Sequence, residues 1–249
     1  MAHVAVEAED VTLDDPVLIE GLPGIGLVGK IAVDHLVEQL DMTYYAGIEC
    51  EGIPKVRVYQ GGSRTIRPPV RLFADAERDV VALQSHVPVS RTAASDFARC
   101  VTGFVEDVDG TALYLSGLPT ANRDGEDDPD LYGVATGGTG SLLDEHEIAE
   151  PDDGGLIGGP TGALLDSAAD ADLPAAGLVV EASQQFPDPG AARALIETAI
   201  GPIAGVSVDT TELVEDAEQI RAQRQQLAQQ MQQAEEAESS QAQPLGMFQ

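Results

Sequence analysis

Three groups of residues in this 249-residue chain have types and spacings that invite chemistry. The first is Gly24-Ile-Gly26-Leu-Val-Gly29, which satisfies G-x-G-x-x-G between a predicted strand and a predicted helix. In that setting the pattern brings helix N-terminal amides to a dinucleotide pyrophosphate. A ribose-binding acid is expected roughly 20 residues later; Asp41 and Glu49 are available, but neither ends a second strand of a clean βαβ unit. The same residues read as Gly24-x4-Gly29-Lys30-Ile31, a phosphate-binding loop in which Ile31 replaces the Ser or Thr that would hold Mg²⁺. One reading is therefore a nucleotide- or nucleoside-binding enzyme or sensor using Gly24, Gly26, Gly29 and Lys30. The other is that these glycines permit a tight turn and close helix–sheet packing, with no ligand.

The second group is a local reversal of charge. No acidic residue occurs from Gly52 to Ala74, whereas Lys55, Arg57, Arg64, Arg67 and Arg71 lie there, five of the thirteen basic side chains. Lys55, Arg57 and Tyr59 alternate along a predicted strand, so they share one face. That face suits an acidic surface on a neighbouring subunit or an anionic ligand, and of the two the subunit contact is favoured. A merely solvated hairpin face is the plainer alternative.

The third group yields nothing catalytic. Ser85-His86 and Ser90 have no Gly-x-Ser-x-Gly elbow to present a nucleophile. Asp127-Asp128 and Asp152-Asp153 sit in loops dense with charge and read as solvated. Cys50 and Cys100 are far apart with no CxxC, and His3, His35, His86 and His146 are scattered, which leaves neither a zinc site nor a disulfide framework. No catalytic residue, metal or cofactor is assigned, and the chain reads as non-enzymatic.

The chain carries 43 Asp and Glu against 13 Lys and Arg, a formal charge of −30. A globally anionic surface repels nucleic acid before any base is read, so nucleic-acid binding is excluded. Hydrophobic residues make up 43% of the sequence and recur in bounded runs, enough for one sizeable core, so the acidity is not that of a disordered chain. Only Lys30 and Lys55 are lysines, and the acids run from Glu7 to Glu238. This reads as a halophilic surface, since salt at 1 M screens repulsion to about 3 Å. With no apolar span of about 20 residues and no basic-then-hydrophobic start, the expectation is a cytoplasmic protein with no membrane partner.

The elements that must position these groups alternate. Val17 to Glu20 reads as a buried strand, and apolar residues at Ile31, Val33, Leu36, Val37 and Leu40 form a helical stripe after Gly29. Strands are expected at Tyr44 to Glu49, Lys55 to Tyr59, Thr65 to Phe73, Asp79 to Gln84, Thr111 to Leu115, Leu131 to Thr136 and Gly177 to Glu181, with a hairpin at Gly61-Gly62. Helices are expected at Arg91 to Val105, after Gly140, at Pro160 to Ala169 and at Pro189 to Ile200. Strands alternating with helices predict an α/β class with a mainly parallel sheet covered on both faces and a β-hairpin insertion.

Residues 1–211 thus form the α/β domain, followed by a helix over 212–238 and a tail over 239–249. Leu213, Ala217, Ile220, Leu227, Met231 and Ala234 fall at alternating four- and three-residue steps with Arg224 in one seam position, a coiled-coil-like stripe or the inner face of a helix packed on its own domain. The tail turns apolar after Pro244, which asks for a partner.

Leu18-Ile-Glu-Gly-Leu-Pro-Gly-Ile-Gly-Leu-Val-Gly29 with its helix to Leu40, Gly158-Gly-Pro-Thr-Gly-Ala-Leu-Leu165 and Phe186-Pro-Asp-Pro-Gly-Ala-Ala192 together resemble the archaeal branch of the proteasome assembly chaperone family. The likeness covers roughly residues 15 to 210. It implies a phosphorylase-like three-layer α/β/α domain that self-associates, has no established catalytic role and uses the glycine run for its fold. Beside it, Met247-Phe248-Gln249 looks like the hydrophobic-tyrosine-any tail by which proteasome activators and some chaperones dock between proteasome α subunits. Phe248 stands where tyrosine is usual, so the phenolic hydrogen bond is missing. The expectation is a homo-oligomeric proteasome assembly chaperone or adaptor whose partners are proteasome α subunits.

Overall fold

A computed structural model of the protein describes residues 3–8, 11–59, 61–120, 128–220 and 222. The chain opens with β1 (His3–Val6) and β2 (Val17–Gly21), then α1 (Val28–Gln39) and β3 (Thr43–Glu49). A small hairpin follows, β4 (Val58–Tyr59) and β5 (Ile66–Arg67), and then β6 (Val70–Asp75) and β7 (Val80–Ser85). The second half runs through α2 (Ala94–Asp107), β8 (Thr111–Thr120), β9 (Leu131–Thr136), α3 (Gly140–Glu145), α4 (Gly159–Asp170), β10 (Ala175–Ser183), α5 (Pro189–Leu195) and α6 (Gly201–Ala204).

Eight strands form one sheet in the order β1-β3-β6-β7-β2-β8-β10-β9. Its centre, β7-β2-β8-β10, is parallel, as the strand–helix alternation requires. The flanks are antiparallel. The reason is local: only the turn from Asp75 to Val80 joins β6 to β7, and a connection that short permits antiparallel neighbours alone. Strand β1 is too short to announce itself in the sequence and is held by pairing His3 to Glu49 and Val6 to Ala46.

Side chains that alternate along the central strands feed two layers. Ile19, Leu113, Leu115 and Leu178 join α1 (Ala32, Val33, Leu36) and α5 (Ala192, Leu195) on one face. Leu18, Val81, Leu83 and Tyr114 join α2 (Phe97, Val101) and α4 (Leu164, Ala168) on the other. The result is the three-layer α/β/α architecture. Asp15, Asp41, Asp79, Asp109 and Asp172, each just before a strand, take left-handed φ between 48° and 54°. Asp tolerates that conformation better than other side-chain-bearing residues because its carboxylate bonds locally.

Two expected boundaries move. The helix predicted over Pro189 to Ile200 widens into a π turn at Ile196–Ile200, one turn before Pro202, whose ring crowds the carbonyl four residues back and whose nitrogen has no proton to give. The predicted strands Lys55 to Tyr59 and Thr65 to Phe73 shrink to β4 and to β5 plus β6, because Pro54, Pro68 and Pro69 interrupt the ladder. Residues 211–220 are helical, and Leu213, the first seam position, is 4% exposed in the layer shared with α1 and α5. Arg224, Leu227, Met231 and Ala234 lie outside the described residues. Among the described residues no helix is long and apolar enough to cross a membrane.

Candidate functional site

The four parallel strands all end at one end of the sheet, and in open α/β sheets ligands settle there. The glycine turn follows β2 at this end. The hairpin arrives there too, because β6 pairs Val70 with Ser85 at the end of β7, and β3 pairs Gly47 with Arg71. Two sequence motifs separated by some 30 residues therefore share one face of the molecule.

At the glycine turn Gly24 is extended, Ile25–Leu27 make a 3-10 turn, and Gly26 and Leu27 take φ of 63° and 52° before α1 begins. The Gly26 carbonyl accepts the Asp188 N–H at 2.8 Å. Asp188 in turn accepts from Ser183 N at 2.9 Å and Ala191 N at 3.0 Å, which caps α5. A Cβ on Gly26 would stand 2.9 Å from the Ala182 Cβ, one on Gly29 3.2 Å from the Glu20 carbonyl oxygen, and one on Gly117 of β8 2.5 Å from the Ile25 carbonyl oxygen. The space that a ligand's phosphates would need beside these glycines is filled by β8, β10 and the segment before α5. This geometry favours the packing reading of Gly26 and Gly29, whereas a Cβ on Gly24 would meet nothing within 4 Å.

Lys30 is likewise committed. Its Nζ lies 2.5 Å from Asp34, one helical turn on. Asp34 accepts the Gln84 side-chain amide at 2.9 Å, and the Gln84 oxygen accepts from Arg71 Nη2 at 2.5 Å. Arg71 is 1% exposed: it sits in β6, flanked by β3 and β7, so it runs beneath the surface instead of on it. Contrary to the expectation from its charge, Arg71 is therefore not open to a neighbouring subunit. Burial lowers the Arg71 pKa, and the charge of Asp34 opposes that shift. Burial, then the charges of Lys30 and Arg71, hold His86 below the ordinary histidine value.

Glu20 is fully buried at the end of β2. Its carboxylate accepts the amides of Leu22 at 2.8 Å and Leu115 at 2.9 Å, and the Thr161 hydroxyl of α4 at 3.4 Å. Burial pushes its pKa up to about 7, and those three hydrogen bonds hold it from rising further. The same carboxylate, after burial, raises the Tyr114 phenol beneath it. Glu20 thus ties the glycine turn to β8 and α4.

The hairpin is the opposite kind of surface. Tyr59 and Ile66 face each other across β4 and β5 and are 78% and 62% exposed. The hairpin is pinned at its root. Arg67 reaches Glu7 at 3.0 Å and lies 3.6 Å over the Tyr44 ring, while the Tyr44 hydroxyl donates to the same Glu7 at 2.8 Å. Arg57 lies 3.7 Å from Glu49. Lys55 and Arg64 are exposed and make no ion pair among the described residues. Two open concavities of about 320 and 340 Å³ flank the root, sharing Glu49, Arg57 and Pro68 as walls. Because the strand begins only at Val58, Lys55, Arg57 and Tyr59 do not form the single ladder face expected of them.

The remaining candidates do not assemble. The Ser85 hydroxyl donates to the Val87 carbonyl at 2.7 Å and not to His86. Burial raises both thiols, that of Cys100 to about 11, so neither is a ready nucleophile. Met247, Phe248 and Gln249 lie outside the described residues. Sequence reasoning missed Glu20, Asp34 and Gln84. A detectable signal existed for two of them, since Glu20 ends the run Val17-Leu-Ile and Gln84 the run Val80-Val-Ala-Leu, where a polar residue must be buried with a partner.

The sequence model of the PAC2 family matches residues 18–228. The chain belongs to the PAC2 family. This PAC2 protein is 33% identical over 85 residues to an uncharacterized protein of Methanocaldococcus jannaschii, MJ0106, a match spanning 34% of each chain. Its fold is similar to that of Pyrococcus furiosus PbaA, described as an archaeal homolog of proteasome-assembly chaperone, with TM-score 0.77 at 24% identity, covering 94% of this chain and 100% of that one. P. furiosus PbaB, described as an archaeal proteasome activator, is similar at TM-score 0.71 and 24% identity, covering 91% and 98%. A Streptomyces avermitilis PAC2 family protein matches at TM-score 0.65 and 23% identity, covering 91% and 100%.

Proposed function

We propose that this PAC2 protein is a non-enzymatic, homo-oligomeric proteasome assembly chaperone or proteasome-binding adaptor, working in the cytoplasm and docking on the proteasome α ring through Met247, Phe248 and Gln249. The observation that carries this reading is PAC2 membership over residues 18–228, joined to a fold shared with a chaperone homolog and a proteasome activator. The filled glycine turn adds support, since Gly26, Gly29 and Gly117 are spent on close packing of α1 against β8 and β10.

The tail has suitable chemistry. Residues 239–249 contain no charged side chain, so the peptide joins an acidic protein to an apolar end. Met247 and Phe248 supply an apolar and an aromatic anchor, and a cationic pocket between α subunits would take the carboxylate of Gln249. Several tails presented by one oligomer raise avidity by about 10² to 10⁴ over a single weak peptide when they engage together.

The test is co-migration, by light scattering in molar salt, of the full chain and of a form ending at Gly246 with purified proteasome α subunits. Complex formation by the full chain and its loss in the shortened form is the expected result. Retention by the shortened form removes the tail from the reading, and absence of binding by both forms removes the partner.

A further inference from the structure

The strand-end face carries two exposed patches of opposite character, at opposite ends of the strand order. On the β1-β3-β6 side the hairpin presents the Tyr59–Ile66 pair with Val56, 46% exposed, and the cations Lys55 and Arg64. On the β8-β10-β9 side Leu118 is 42% exposed beside Glu181, its register partner on β10. The Glu181 amide donates to the Asp130 carbonyl at 3.0 Å, which fixes Asp130 next to it. The bridge of Tyr132 to Ala149 brings the chain just before Asp152 to the outer edge of β9, and the charges of Asp130, Glu181 and Asp152 all act on the Tyr132 phenol. One patch is apolar and cationic, the other apolar and acidic.

We infer that the hairpin of one copy docks on the acidic strand-end patch of a second copy, Tyr59 and Ile66 covering Leu118 while Lys55 and Arg64 meet Asp130, Glu181 and Asp152. Charge complementarity selects this occupant. In a chain of net charge −30, the stretch around the hairpin is where acids are missing, so the complement it needs is on the same molecule's other surfaces. A hairpin-to-hairpin contact would set Lys55 and Arg64 against their own copies and is disfavoured by like charge. Tyr and Arg are the side chains that dominate interface energetics when they stand on a fixed scaffold. The Arg67–Glu7–Tyr44 and Arg57–Glu49 contacts fix the hairpin before any partner arrives, so little ordering is required on docking. High salt screens the distant charges, which leaves the apolar pair as the main attraction and contact charges as the guide to orientation.

This inference rests on the self-association in the proposed function and specifies its contact; the test contains no proteasome, so its failure leaves tail docking untouched. Two variants are made at exposed positions, Tyr59→Ser with Arg64→Glu on the hairpin, and Leu118→Ser with Asp130→Arg on the acidic patch. Mass is read by light scattering in molar salt, and circular dichroism with thermal unfolding checks the fold. Each variant alone is expected at the monomer mass of 26.0 kDa while the wild type is at a multiple of it. Mixing the two is expected to restore a multiple, because each still owns one intact patch. A monomeric wild type, a hairpin variant that keeps the wild-type mass, or a mixture that stays monomeric overturns the inference. If Leu118→Ser with Asp130→Arg unfolds, Glu181→Lys with Asp152→Lys replaces it, with the same outcomes.

Discussion

The glycine turn and the hairpin occupy the same end of the sheet, and they use their residues in opposite ways. At the turn, backbone lies so close to backbone that a single methyl group meets Ala182, Leu115 or Ile25, and the one cation present, Lys30, is taken by Asp34. At the hairpin, an aromatic and an aliphatic side chain stand in solvent, and two of the cations have no ion-pair partner among the described residues. A glycine-rich motif is thus a poor guide to a ligand when its neighbours have filled the space, and a short charged insertion can be the better guide to a partner. Substitutions at the two regions should separate accordingly.

The largest effect is expected at Gly26→Val, which forces a branched side chain to positive φ and against Ala182; strain and overpacking together cost about 4 kcal/mol. Gly61→Ala at the hairpin, where a Cβ meets nothing within 4 Å, should change stability by less than about 0.5 kcal/mol. Denaturant midpoints measure both. A tolerated Gly26→Val would show that the turn has room and would return it to consideration as a ligand site.

Next comes Glu20→Leu, which leaves the Leu22 and Leu115 amides buried without acceptors, about 3 kcal/mol in total. The same residue gives a pH signature. Its folded pKa of about 7 lies above the ordinary 4.5, so the folded state holds the extra proton between these values. The contribution of Glu20 is therefore fully present below about 4.5 and is lost as pH rises through about 7. The difference in unfolding free energy between wild type and Glu20→Gln should vary across that window and level off on either side; a constant difference would mean the carboxyl does not titrate there.

Smaller still is Arg67→Met, which removes the contact to Glu7 and the stack on Tyr44, about 1 kcal/mol, and should make the hairpin root more sensitive to limited proteolysis. Smallest is Tyr59→Ser, expected within about 0.5 kcal/mol of wild type in unfolding because its ring is 78% exposed. A large loss there would place the ring in the fold and weaken its role at a contact between copies.

How much of this was legible in the sequence depends on the range of the interactions involved. The apolar run from Val17 to Glu20, the stripe from Ile31 to Leu40 and the runs at Val80 and Thr111 are local signals, and the α/β class follows from them. The edges of the sheet are not local. Strand β1 exists because Ile48 and Ala46 are there to pair with it, and the antiparallel flank follows from pairings rather than from periodicity. Arg71 shows the limit most clearly. Its charge groups it with Arg64 and Arg67 in the sequence, but β3 and β7 close over it, and the Gln84 oxygen, the His86 ring and the Phe73 face make that burial tolerable. The glycines of the turn looked alike for packing or for phosphate until the positions of Gly117 and Ala182 were known.

The strand order also sets a timetable for synthesis. β2 lies at the centre of the sheet, yet both of its neighbours, β7 and β8, are made much later, the second only when residues 111–120 have left the ribosome. A nascent chain halted before residue 110 carries β2 with one unprotected edge and an apolar α1 layer that lacks β8, β10 and α5 to cover it. Pairings this distant in sequence form slowly and expose sticky edges while they wait. The half-made protein should therefore need protection of its own during translation.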